Sequence, residues 1–162
     1  MKQTLDPEIR AAMVDYRLDR ARETLGEADV LTDSGYFNAA VNRLYYACFY
    51  AASALLLSRH TEAGTHNGTK TQLSLYYVRP RRLAMEHNNT YNVLFDKRHS
   101  GDYSDFIFVD ATFVREYRPR AEAFINAVEK QTREVQADDP ERANDQPERT
   151  DTDRAGEKET EV

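Results

Sequence analysis

Fourteen residues, Leu44 to Leu57, are apolar except for Ser53 and sit between Arg43 and Arg59. The run is too short to span a bilayer, which takes about 20 apolar residues as a helix. It suits a buried core helix. Carried out to Tyr36–Arg59, the helix has Phe37, Ala40, Val41, Leu44, Tyr45, Ala47, Cys48, Ala51, Ala52, Leu55 and Leu56 nearly all round it. Such a helix belongs at the centre of a bundle or in a subunit interface. Its alanines allow close approach of neighbours.

The flanking sequence is helical too. Ala11, Val14, Leu18, Ala21, Leu25 and Ala28 recur at steps of three and four, one stripe of an amphipathic helix over about Pro7 to Leu31. Thr32-Asp33-Ser34-Gly35 reads as a turn, with Asp33 or Ser34 placed to cap the next helix. Thr65 or Asn67 is expected to cap a third helix that ends near Val78, before Pro80. A fourth is expected from Arg81 to Lys97 with an interruption at Asn88-Asn89, and a last one from Asp110 to Val135, kinked or split at Pro119. The expected fold is all-α, an up-and-down antiparallel bundle of four to five helices.

Charge divides the chain. Residues 138–162 carry ten acids and four bases, so the whole net charge of −6 lies there, and the first 137 residues balance. That tail holds no Leu, Ile, Phe or Tyr. It is expected to be disordered, because it has too little apolar surface to offset the entropy of ordering. The expected domain is therefore 1–137 and the acidic tail 138–162. The folded part is neutral overall, with local basic clusters at Arg79-Pro80-Arg81-Arg82, Lys97-Arg98 and Arg115 to Arg120. The global charge thus says little against a nucleic-acid partner. One cysteine, Cys48, excludes a disulfide framework and a multi-thiolate zinc site. The polar stretch Met1–Arg10 lacks a leader pattern, and the expectation is a cytoplasmic protein with no membrane segment.

Three polar clusters stand out. Asn42-Arg43 lies on the apolar helix, where burial is costly unless both side chains find partners. Lys97-Arg98-His99-Ser100-Gly101-Asp102-Tyr103 gathers a guanidinium, an imidazole, a carboxylate and a phenol. Arginine clamps phosphate bidentately, and histidine moves protons near neutral pH. Thr65-His66-Asn67-Gly68 places a histidine at a helix start. Each has a plainer reading as a hydrogen-bond network, a polar turn or a cap. No phosphate loop, His-Glu-x-x-His or other metal-ligand spacing is present, so no metal or cofactor is expected.

Taken together these clusters resemble a known family. The stretch Asn38 to Leu57, with its Arg43-Leu44-Tyr45-Tyr46-Ala47-x-Phe49 core, is similar to the HEPN domain, specifically the UPF0332-like branch. So are Thr65-His66-Asn67-Gly68 and Arg98-x-x-Gly101-Asp102-Tyr103. The resemblance covers about residues 10 to 135. It implies a helical bundle that forms a homodimer, with a composite site at the interface. It also implies action on RNA as a metal-independent ribonuclease, often as a toxin paired with a small MNT-type nucleotidyltransferase antitoxin. The family motif is an arginine and a histidine with four to six residues between them. Here Tyr103 stands five residues after Arg98, where that histidine is expected. Arg82 and His87 have the right spacing but precede the matching turn.

The expected catalytic set is therefore Arg98, His99, Asp102 and Tyr103. Asn42, Arg43, Tyr46 and His66 are expected to bind RNA or nucleotide, or to support the site. In antitoxin-paired members a tyrosine near the motif receives a nucleotide from the partner enzyme, and Tyr103 is the candidate here. The alternative is a non-catalytic HEPN module that binds a nucleotide or a partner nucleotidyltransferase.

Overall fold

The computed structural model describes residues 4–98 and 108–138. Its five α-helices are α1 Pro7–Asp33, α2 Phe37–Ser58, α3 His66–Leu73, α4 Met85–Lys97 and α5 Ala111–Ala137. A π-turn, Ser74–Val78, continues α3. The described residues contain no strand. No helix among them is long and apolar enough to cross a membrane.

Asp6 starts α1 by accepting from the Glu8 and Ile9 N–H groups at 2.9 and 3.4 Å, with Pro7 in the first turn. The expected stripe is the buried one: Val14, Leu18, Ala21, Leu25 and Ala28 face inward. Burial runs nearly all round α2, from Ala40 to Leu57. The chain itself covers that surface, because α2 packs against α1, α3, α4 and α5. Val14 and Leu18 of α1 cluster with Ala54 and Leu57 of α2, so the start of α1 meets the end of α2 and the two run antiparallel.

Ion pairs fix α5 against α1. Asp15 meets Arg133 at 2.6 Å, Glu129 meets Arg22 at 2.6 Å, and Asp29 takes a two-pronged contact from Arg118 at 2.9 Å for each prong. The order reverses along the two helices, so they are antiparallel. Lys97 lies over Phe113 and Tyr91 meets Phe124, which runs α4 antiparallel to α5. The four long helices thus alternate up and down, with α3 and its π-turn as the connection between α2 and α4. Tyr45, Tyr77, Tyr91 and Phe124 are its largest buried side chains.

Four local expectations need correction. Asp33 ends α1 and Ser34 is its C-cap, whereas the N-cap of α2 is Tyr36, which makes no side-chain cap bond. The fourth helix starts at Met85, not Arg81, because Arg81 takes a left-handed turn at φ 62°. Asn88-Asn89 leaves α4 uninterrupted. Pro119 does not split α5, and its ring lies on the exposed face.

Candidate functional site

The middle of α2, the start of α3 and the end of α4 meet at one place, and Tyr45 is its hub. Tyr45 is wholly buried. Its ring lies 5.9 Å from both Tyr91 and Phe95 of α4. Its hydroxyl is 2.8 Å from Nδ1 of His66, the first residue of α3. Thr65 fixes the backbone there, its Oγ1 accepting from the Gly68 N–H at 2.9 Å. The imidazole also packs on Phe49, with ring centres 4.4 Å apart.

Arg98 caps the C-terminal end of α4. Its guanidinium lies 5.0 Å from the centre of the Tyr45 ring and 5.4 Å from that of Phe95. Its Nε is buried and has no hydrogen-bond partner among the described residues. An arginine and a histidine from separate elements thus share one tyrosine.

The electrostatics follow from this packing. Burial, then the Arg98 charge, pull the His66 imidazole below its ordinary 6.5. At neutral pH the ring is therefore uncharged, with one nitrogen donating and one accepting. Burial pushes the phenols of Tyr45 and Tyr91 up, so both stay protonated. Burial does the same to the Cys48 thiol, which is no nucleophile in this state.

His66 also lines a cleft of about 350 Å3 beside α1 and α2, shared with Arg17, Arg20 and Tyr50. On the α2 side, Arg43 donates to Asn42 Oδ1 at 2.9 Å, lies 4.9 Å over the Tyr46 ring and is 3.6 Å from Glu27. Its side chain is 30% exposed, so the pair avoids the burial cost expected from the sequence. Tyr46 in turn presents its ring edge-on to His66 at 5.7 Å. Asn42, Arg43 and Tyr46 therefore form a rim beside His66.

His99, Asp102 and Tyr103 lie outside the described residues. Arg82 and His87 are not brought together: Arg82 is exposed before α4, while His87 lies in the groove between α4 and α5 beside Glu86. Tyr45, Phe49, Tyr91 and Phe95 belong to the site and are not among the expected site residues. One signal could have found two of them. Tyr91, Phe95 and Arg98 are spaced by four and three, hence on one face of α4. Among the described residues no three His, Cys, Asp or Glu side chains gather as a metal site.

Residues 14–131, which include Tyr45, His66 and Arg98, match the family model described as HEPN domain. The chain belongs to the HEPN domain family. This HEPN chain is 34% identical to a UPF0332 protein of Thermotoga maritima over 118 residues, which is 73% of this chain and 89% of the relative. A Methanocaldococcus jannaschii protein named "Putative toxin MJ0605" is 27% identical over 138 residues, 83% of this chain and 99% of that one. Another from the same organism, named "Putative toxin MJ0142", is 24% identical over 113 residues, 70% and 77% of the two chains.

Proposed function

We propose that this HEPN protein is the toxin-like member of a pair with an MNT-type nucleotidyltransferase, and that it acts on RNA at the site built on Tyr45, His66 and Arg98. The observation that carries the reading is the shared tyrosine. It holds a permanent cation and a neutral imidazole side by side, the two groups that phosphodiester cleavage needs without a metal. Arg98 binds and neutralises the phosphate. With Nδ1–H donating to the Tyr45 oxygen, Nε2 is the free nitrogen, and there the uncharged His66 accepts the ribose 2′-hydroxyl proton. The 2′-oxygen then bonds to phosphorus, the bond to the 5′-oxygen breaks, and the proton returns to that leaving oxygen. Tyr103, five residues beyond Arg98, is the candidate nucleotide acceptor for the partner enzyme. The chain works as a homodimer in this reading, and the relatives named toxins support its class.

The test is induction of the chain in cells, with Arg98→Ala and His66→Ala beside it, followed by RNA profiling. Growth arrest with RNA cleavage is expected from the native chain and from neither variant. Cleavage that persists in both variants overturns the site. Tight oligoribonucleotide binding without cleavage by the native chain favours the non-catalytic module.

A further inference from the structure

His66 stands between two depressions that differ in their charge. In the cleft beside α1 and α2, Arg17 is paired with Glu62 at 2.6 Å, and Arg20 with Glu23 and Glu27 at 2.9 and 3.3 Å. Those cations are already neutralised. The second depression, about 650 Å3, runs between α4 and α3 with its π-turn, and begins at Asn67 beside His66. Lys70, Ser74 and Arg79 line one wall, Asn88 and Asn92 the other. No carboxylate lines it, and Leu75 is its single apolar lining residue. Among the described residues neither Lys70 nor Arg79 has an ion-pair partner.

The sequence builds these walls by helical spacing. Asn67, Lys70 and Ser74 recur at three and four, and Asn88 and Asn92 at four, so each set forms one row. The groove also joins the site. Lys70 Nζ lies 4.5 Å from the centre of the Phe95 ring, the ring that Arg98 also covers. The Asn92 Oδ1 is buried with no hydrogen-bond partner among the described residues, an acceptor still to be filled.

We propose that this groove is a track for a single RNA strand leading to Arg98 and His66. Lys70 and Arg79 hold phosphates. Asn67, Asn88 and Asn92 read base edges. The inference rests on the RNA reading above and assigns new residues to it. Amides both donate and accept, as unpaired bases do. An acidic peptide's carboxylates only accept, so its donors are confined to the backbone N–H groups.

The test uses the full chain and a fluorescein-labelled 2′-O-methyl oligouridylate of about twelve nucleotides, which resists cleavage through the 2′-oxygen. Anisotropy is followed over a range of KCl. Losing two phosphate contacts in Lys70→Gln/Arg79→Gln lowers the slope of log affinity against log salt by about 1.4, at about 0.7 per contact on a single strand. Affinity falls about tenfold or more at low salt. Asn88→Asp, which puts a carboxylate in the groove, weakens binding in the same direction. Unchanged melting temperatures show that the variants fold. If the native chain does not bind the probe, the RNA reading itself fails. If it binds, Arg98→Ala loses binding and the groove variants keep affinity and slope, the groove alone is overturned. Equal displacement by polyglutamate, or equal affinity for a matched RNA duplex, overturns the single-strand assignment.

Discussion

The hydroxyl of Tyr45 and Nδ1 of His66 lie 2.8 Å apart, although 21 positions separate them in the chain. One residue comes from the buried middle of the central helix, the other from the half-exposed start of α3. The contact ties the aromatic core of the HEPN bundle to the ring that the proposed chemistry uses. The core therefore sets where the imidazole points.

Tyr45→Phe keeps the ring that packs on Tyr91, Phe95 and Arg98, and removes only the hydroxyl. Stability is expected to fall by about 1 kcal/mol, the usual net value of one such bond. The effects of Tyr45→Phe and His66→Ala are expected to be non-additive, because both delete the same contact. Urea unfolding of the two single variants and the double variant measures the coupling. Strict additivity would show that the hydrogen bond contributes nothing.

The lowered affinity of His66 for a proton has a definite sign in pH dependence. Its folded value lies below the unfolded 6.5, so the unfolded chain takes up the proton first as pH falls. The stability it contributes is fully present above 6.5 and is lost as pH drops through the folded value. NMR titration of the imidazole, assigned by its loss in His66→Asn, is expected to show a midpoint below 6.5. In Arg98→Ala the midpoint should rise but stop short of 6.5, because burial is the larger cause and Arg98 the second. A midpoint unmoved by Arg98→Ala would separate the two residues electrostatically.

Gly68 tests how α3 aims His66. A Cβ there would come within 2.8 Å of both the Ala63 Cβ and the Thr65 Oγ1 that caps the helix. Alanine gains up to about 1 kcal/mol of helix propensity over glycine. Displacing the cap costs about 1 kcal/mol, and moving the preceding segment adds to it. Gly68→Ala is therefore expected to destabilise on balance, and to shift the His66 resonances. Thr65→Ala should lose the cap energy without the clash. Chemical denaturation and a heteronuclear spectrum check both, and a net stabilisation by Gly68→Ala would contradict the close approach.

Several features were legible because they follow from periodicity. The α1 stripe, the all-round burial of α2 and the Thr65 cap need only local spacing or a local hydrogen bond. The grouping of Arg98 with His66 depends on the antiparallel return of α4, which spacing does not encode. Asp15, Asp29 and Glu129 likewise pair with arginines on the opposite helix, a pairing that local spacing does not encode. The start of α4 was not legible because the left-handed turn before it falls on Arg81, a residue type that does not mark such a turn. Gly35, at φ 80°, closes α1: its N–H donates to Thr32 and the Tyr36 N–H to Leu31, at 3.0 and 2.9 Å. The same pair of bonds closes α2 around His60 and the π-turn around Arg81, with no glycine to mark them.

Those two closures make the last prediction. His60 and Arg81 hold φ values of 61° and 62°, where a side chain crowds the backbone. A left-handed residue other than glycine costs about 1–2 kcal/mol, while glycine gives back about 0.5–1 kcal/mol through the freer unfolded chain. Both side chains are exposed, so little packing is lost. His60→Gly and Arg81→Gly are each expected to stabilise by about 0.5–1 kcal/mol. The gains should add, because the two turns share no partner. Gly35→Ala should act in the opposite sense, since it imposes the strain that glycine avoids. Urea midpoints of the three variants decide it: a lower midpoint for His60→Gly would mean that its side chain makes contacts that outweigh the backbone strain.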